Sequence, residues 1–168
     1  MNGDEIRHAM KLTIIAVGKI KERYLKDGIA EYSKRLSRFC DVEIIEVADE
    51  QAPETLSASQ EEQVKKKESE RIIKRLREGT FLIVLDVKGE KLDSEGFADK
   101  LQAFLVSGNS HITFVIGGSL GLDPELVKKA RFRLSLSDMT FPHQLTRLIL
   151  LEQIYRAFKI MNGEPYHK

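Results

Sequence analysis

The chain carries one cysteine, Cys40, among its 168 residues, so no disulfide can close within it, and a reducing cytoplasm suits it. Its histidines, His8, His111, His143 and His167, show no H-x-x-x-H spacing, and C-x-x-C is absent. That argues against a structural or catalytic metal site. Excess charge is missing too: 27 basic residues face 26 acidic ones, a net of +1. A polyanion binder that is basic over its whole surface is thereby excluded, though a local basic face is not. No apolar run approaches the roughly 18 residues of a membrane span. Residues 1–9 lack the basic-then-apolar layout of a signal peptide. The phosphate-loop pattern G-x-x-x-x-G-K-[ST] and the nucleophile pattern G-x-S-x-G are also absent.

What is present is the composition of a folded domain. Hydrophobic residues make up 42% and charged residues 32%, which excludes disorder and low-complexity classes. A chain of this length buries roughly 70% of its unfolded surface, enough for a real core. Met10-Lys11-Leu12 reads as a second start, because the first strand pattern begins there. Residues 1–9 are therefore read as an upstream extension or an expression remnant, and residues 10–168 as a single domain.

Apolar periodicity predicts strands at 11–17 (KLTIIAV), 42–47 (VEIIEV), 81–85 (FLIVL), 112–116 (ITFVI) and 131–136 (RFRLSL). Helical spacing predicts helices at 22–38, 57–78, 94–106, from Pro124 onward, and at 142–161. Loops are expected at 48–56 and 86–93. No internal repeat or linker interrupts this order. The alternation argues for one α/β domain with a mostly parallel sheet and helices on both faces. Ligands in such sheets sit beyond the carboxyl ends of the strands, here at Gly18, Leu85-Asp86, Gly117-Gly118 and Leu136-Ser137.

Two of those ends are chemically suggestive. Gly117-Gly118-Ser119-Leu120-Gly121 joins a strand to a helix that opens on Asp123-Pro124. Its glycines either let backbone approach a ligand or simply make a tight turn. The spacing is not the dinucleotide pattern G-x-G-x-x-G. Leu136-Ser137-Asp138-Met139-Thr140-Phe141 mixes apolar side chains with free main-chain groups. It suits a flat, mostly apolar ligand such as adenine, or else is an ordinary connecting loop. His143 and Arg147 are four apart and share a helix face. Near a helix start the dipole disfavours a protonated imidazole, which keeps His143 neutral. The last helix is apolar around almost its whole circumference, so part of it needs a partner, and a twin subunit is the simplest one. Lys19, Lys21, Arg23 and Lys26 cluster after the first strand. The tail Tyr166-His167-Lys168 combines an aromatic, an imidazole and a cation, a set that suits a nucleic-acid base and phosphate.

Together these pieces resemble a known family. Met10-Lys11-Leu12 with Ala16-Val17-Gly18-Lys19, Leu85-Asp86 with Gly89, Phe114-Val115-Ile116-Gly117-Gly118 with Gly121-Leu122, Leu134-Ser135-Leu136-Ser137, Pro142-His143-Gln144-Leu145 with Arg147, Glu152-Gln153-Ile154-Tyr155-Arg156-Ala157 and Pro165-Tyr166-His167 are similar to the bacterial ribosomal RNA large subunit methyltransferase H family of the SPOUT superfamily. The resemblance spans residues 10–168. It implies a deep trefoil knot near the C-terminus, an exception to the rule of unknotted chains, with the turns after Leu85, Ile116 and Leu136 as the knot loops. It implies a homodimer that binds S-adenosylmethionine in the knot, close to the partner subunit. It implies methylation of N3 of a pseudouridine in 23S ribosomal RNA, with the assembled ribosome as substrate. By position, cofactor contacts fall at Leu85, Gly117, Leu136, Ser137, Asp138, Met139, Thr140 and Phe141, with Ser137, Asp138 and Met139 contributing mainly main-chain groups. The proton on the target nitrogen needs help to leave, and His143, Tyr166 and His167 are the candidate bases or orienting groups. Arg147 is the candidate to hold a phosphate or steady charge on the uracil oxygens. The rival readings are a nucleotide-holding ribosome-binding module without transfer activity, and a nicotinamide or flavin enzyme of open α/β form.

Overall fold

A computed structural model describes residues 10–166; residues 1–9, read above as an extension, and the candidate His167 lie outside them. Strands β1 (Lys11–Val17), β2 (Asp41–Val47), β3 (Phe81–Lys91), β4 (His111–Ile116) and β5 (Phe132–Ser135) alternate with helices α1 (Arg23–Leu36), α2 (Ala58–Ile73), α3 (Ser94–Val106), α4 (Pro124–Lys129) and α5 (His143–Met161). Among the described residues the strands form one sheet in the order β2-β1-β4-β3-β5. Its strand pairings are parallel. The α/β class expected from the alternation is the class observed.

The strand pattern explains why helices cover both faces. Side chains alternate across a strand, so Leu12, Ile14 and Ala16 of β1 enter one core with Phe114, Leu151 and Ile154. Ile15 and Val17 enter the other, with Val115, Ile72 and Leu126. Helices α1, α3 and α5 therefore lie on one face and α2 and α4 on the other. Phe39 stacks on Phe158 at 5.3 Å between ring centres, tying the end of α1 to α5. Ser57 caps α2 through a reciprocal box with Gln60, which satisfies two otherwise free backbone donors.

Several expected boundaries differ, most by one or two residues. Helix α2 stops at Ile73 rather than Glu78. Beyond it the Arg75 and Leu76 N–H groups donate back to Ile72 and Ile73 in tight turns, while Leu76 keeps packing on the same core as Ile72. The apolar stripe continues although the helix has ended. The segment 86–93, expected to be a loop, stays largely in the sheet, because β3 runs to Lys91. Leu134 of β5 faces both Leu85 and Glu90, so the residues between them bulge outward. That bulge is fixed from across the sheet: Arg133 Nε donates to Asp86 Oδ2 at 3.0 Å, and a Cβ on Gly89 would lie 2.7 Å from the Arg133 backbone. No single-strand pattern carries that information. Strand β5 is shorter than expected, Phe132–Ser135.

Candidate functional site

A parallel sheet gathers its carboxyl ends on one edge, and here the ends of β3, β4 and β5 meet the start of α5. Between them lies an open cavity of about 160 Å³. Leu85, Gly117, Leu136, Ser137, Met139, Thr140 and Phe141 line it, with Ile116, Leu122 and Leu134 as further apolar walls. Seven of the eight residues picked for a cofactor thus converge on one space. Asp138 does not line it; its side chain is 80% exposed and ion-paired with Lys91.

Local hydrogen bonds shape the two loops. The Ser137 hydroxyl accepts from the Met139 N–H at 3.0 Å, and the Ser135 hydroxyl donates to the Ser137 carbonyl at 3.3 Å. In the other loop the Gly121 N–H donates to the Gly118 carbonyl at 3.0 Å. Gly121 has φ +85°, and a Cβ on Gly117 would lie 3.0 Å from both the Gly121 carbonyl carbon and Leu122 Cδ2. The turn needs glycine for its own closure, and the same closure leaves main chain bare beside the cavity. Apolar walls with exposed peptide groups can hold a flat heterocycle by its faces and read its edge.

His143 opens α5 and borders this cavity. No side chain caps the helix start, so its first N–H groups point outward without intrahelical partners. The imidazole sits over the end of β1, with Nε2 3.6 Å from where a Gly18 Cβ would be. Burial lowers its pKa, and the Arg147 charge lowers it further, against a weaker opposing pull from Asp49. Both lowering effects favour the neutral form of the ring.

Arg147, one turn on, is turned inward. It is 1% exposed, its Nη1 donates to Glu46 Oε2 at 2.6 Å and its Nη2 to the Gly18 carbonyl at 3.3 Å. Glu46 Oε2 also accepts from the Ile20 N–H at 2.9 Å. Partial burial pulls the Glu46 carboxyl upward, but the Ile20 N–H and Arg147 hold it below the usual range. This guanidinium therefore clamps α5 to the ends of β1 and β2, and in this arrangement it does not face solvent where a phosphate would lie.

Tyr166 lies against the second half of α5, on Tyr155 and Arg156. Those residues are about 18–20 Å along the helix from His143 at its usual rise per residue, so the structure groups His143 with Arg147 and keeps Tyr166 apart. The Tyr166 ring packs edge-on against Tyr155 at 5.1 Å. Its carbonyl accepts from Arg156 Nη1 at 2.7 Å, and the Arg156 guanidinium lies 4.5 Å from its ring centre. Burial and the hydrogen bond with Tyr32 raise its pKa.

Two carboxylates escaped the sequence reading. Glu46 gave no signal, because the alternation of its strand reads as an ordinary half-exposed edge. Glu68 did give one. Val64, Glu68 and Ile72 are spaced by four, so an acid stands in the middle of the inward stripe of α2, and Glu68 is only 5% exposed. Among the described residues no helix is long and apolar enough to cross a membrane, and no group of three or more histidine, cysteine or acidic side chains could hold a metal ion.

The family model described as "Predicted SPOUT methyltransferase" matches residues 10–167. A relative from Acetivibrio thermocellus, named ribosomal RNA large subunit methyltransferase H, is 70% identical over 159 residues, covering 95% of this chain and 100% of the relative. One of the same name from Ruminiclostridium cellulolyticum is 63% identical over the same length, with the same coverage of both chains. Among solved structures, a probable methylase family protein from Haemophilus influenzae Rd KW20 aligns with a TM-score of 0.50 at 13% identity, covering 96% of this chain and 71% of that one. That last likeness is one of fold.

Proposed function

The chain belongs to the SPOUT methyltransferase family, and on that footing we propose that it transfers the methyl group of S-adenosylmethionine to N3 of a pseudouridine in 23S ribosomal RNA of the assembled ribosome. The observation that carries the reading is the convergence of Leu85, Gly117 and five residues of the 136–141 loop on one cavity beside His143. Relatives of 70% and 63% identity named for ribosomal RNA methylation support the choice of acceptor. The donor set fits the cofactor: leucine and phenylalanine walls suit the adenine faces, and bare peptide groups at Gly117 and along 136–141 suit its edges. S-adenosylmethionine, when bound, supplies an electrophilic methyl group.

The protein's part is alignment and proton handling. In the net reaction a bond forms between N3 and the methyl carbon, the carbon–sulfur bond breaks with its electron pair left on sulfur, and the N3 proton departs. With the methyl donor held by Leu85, Gly117 and the 136–141 loop, the chain would contribute by aligning the acceptor nitrogen with the methyl group. His143, neutral and half-buried at the cavity rim, is placed to accept that proton or orient the imide. Arg147 acts through it: the clamp to Glu46 and Gly18 holds the first turn of α5, and so the ring, in place. Tyr166 packs on Tyr155 and Arg156, away from His143 in the same chain. We therefore assign it to the site of a second copy in a homodimer, where it and His167 meet the acceptor. Partly exposed Leu145 and Ile149 on α5 suit that contact. The trefoil knot, with turns after Leu85, Ile116 and Leu136 as its loops, belongs to the same reading.

The test is transfer of labelled methyl from S-adenosylmethionine to intact ribosomes that lack the modification, with separate subunits and free ribosomal RNA in parallel. Label on large-subunit RNA of assembled ribosomes alone is the expected result. No label on any of the three, despite measurable cofactor binding, overturns it in favour of a binding module.

A further inference from the structure

A second cavity, of about 370 Å³, lies behind His143. The β2–α2 connection forms one wall, Val64 and Glu68 of α2 another, and Gly118-Ser119-Leu120 a third. Gly118 and His143 border both this cavity and the cofactor cavity. We propose that this second cavity receives the uracil-type base of the methyl acceptor, with Glu68 and His143 reading its polar edge. The proposal rests on the function proposed above and names where the acceptor sits.

Three observations carry it. The first is connection. The border that the two cavities share includes the imidazole and a glycine with no side chain. Gly118 cannot gain one cheaply: its Cβ would lie 3.1 Å from Glu68 Oε1 and 3.2 Å from Val17 Cγ1. The contact places the Glu68 carboxyl against the shared border.

The second is chemistry. The cofactor cavity has mainly leucine, isoleucine and phenylalanine walls, whereas the second, beside Leu56, Val64 and Leu120, is lined by the carboxyl-bearing Asp49, Glu50, Glu54 and Glu68. A uracil-type base presents an imide edge, acceptor–donor–acceptor, and pseudouridine adds a further N–H. Glu68 Oε2 is taken by the Glu50 N–H at 2.9 Å, while Oε1 faces Gly118. Burial raises the Glu68 pKa, and the charge of Asp49 adds to this against the Glu50 N–H. A carboxyl that holds its proton more readily can donate to a carbonyl oxygen or accept from an N–H as the base requires.

The third is charge. Asp49, Glu50 and Glu54 are among the lining residues; Glu50 is paired with Arg71 and Lys67, and the carboxylates of Asp49 and Glu54 disfavour a phosphate inside. The occupant is then a base turned out of its stack with its backbone left outside, the usual approach of enzymes that act on a base.

Two substitutions test the assignment. Glu68→Gln keeps the shape and removes the titratable oxygen. Ala52→Trp, at an exposed position on the cavity wall, fills the space without touching the cofactor residues. Both are measured in full-length protein for thermal stability, for S-adenosylmethionine affinity by calorimetry, and for methyl transfer to unmodified ribosomes. The expected result is cofactor affinity within about twofold of the unaltered protein and kcat/KM lower by about a hundredfold, the scale on which misplacing a reacting group costs rate. Wild-type transfer by either folded variant, or loss of cofactor affinity in both, overturns the proposal. If the unaltered protein transfers nothing to any ribosome, the function reading itself fails and this assignment fails with it.

Discussion

Arg147 and Glu46 stand 101 positions apart in the chain, yet the Arg147 Nη1 donates to Glu46 Oε2 at 2.6 Å and locks α5 onto the end of β2. The pair is lopsided. The arginine side chain is 2% exposed and the glutamate side chain 39%. Removing the glutamate strands a buried guanidinium, whereas removing the arginine leaves a carboxylate that water can reach. Arg147 keeps its bond to the Gly18 carbonyl and water screens the partly exposed carboxylate, so Glu46→Ala is expected to destabilise the fold by about 1–3 kcal/mol, the cost of leaving a buried donor unpaired. Arg147→Met, which keeps most of the packing, is expected to cost less. Urea unfolding of the two variants checks the order, and a larger loss in Arg147→Met contradicts the account.

His143 gives a pH dependence whose sign follows from its lowered pKa. The unfolded chain binds the His143 proton near the ordinary value of 6.5, and the folded chain only at lower pH. Between those values the unfolded state holds more protons, so stability falls as pH falls and levels off below the folded value. Melting temperatures of the wild type and of His143→Gln, followed from about pH 7 to about pH 5, should converge as the pH drops. Curves that stay parallel over that range contradict a depressed His143.

Cys40 is buried at the end of α1, with its Sγ 3.9 Å from the Leu36 carbonyl. Burial, with a smaller contribution from Asp41, pushes its thiol up to about 12. Only the thiolate is reactive. Thiol titration with a chromogenic disulfide reagent should give almost no signal from the native protein and one thiol per chain in urea. Rapid labelling of the native protein contradicts this burial.

Gly89 lies in the β3 bulge with no room for a methyl group, since its Cβ would meet the Arg133 backbone carbon and oxygen at 2.7 Å. The neighbours are main chain and cannot rotate away. Gly89→Ala is expected to cost about 1–3 kcal/mol, the range for forced overpacking, and thermal unfolding measures it. An unchanged melting temperature shows that the bulge is free to relax.

The sheet was legible because each strand announces itself locally: KLTIIAV, FLIVL and ITFVI are β-branched or apolar throughout, as strands covered on both faces must be. The cavity at the strand ends was legible for a related reason. Fold class places ligands at strand ends, and the two loops there are marked by glycines and by a mixed apolar and polar run. Asp138 shows the limit of that reading, since a loop residue can point away, here toward Lys91. What the sequence hides is pairing across distance. Nothing local ties Glu46 to Arg147, Asp86 to Arg133, or Glu68 to Gly118. Those contacts decide that Arg147 is a clamp, that residues after Leu85 stay in the sheet, and that an acid sits beside the glycine turn.

The measurement that bears most directly on the central claim is the atomic position of the transferred methyl group. Unmodified ribosomes would be treated with the protein and isotopically labelled S-adenosylmethionine, and their large-subunit RNA digested to nucleosides for fragmentation mass spectrometry. The account predicts labelled methyl retained on the base of a pseudouridine, co-eluting with the N3-methylated standard. Label on a ribose oxygen, or on any other base, would contradict it.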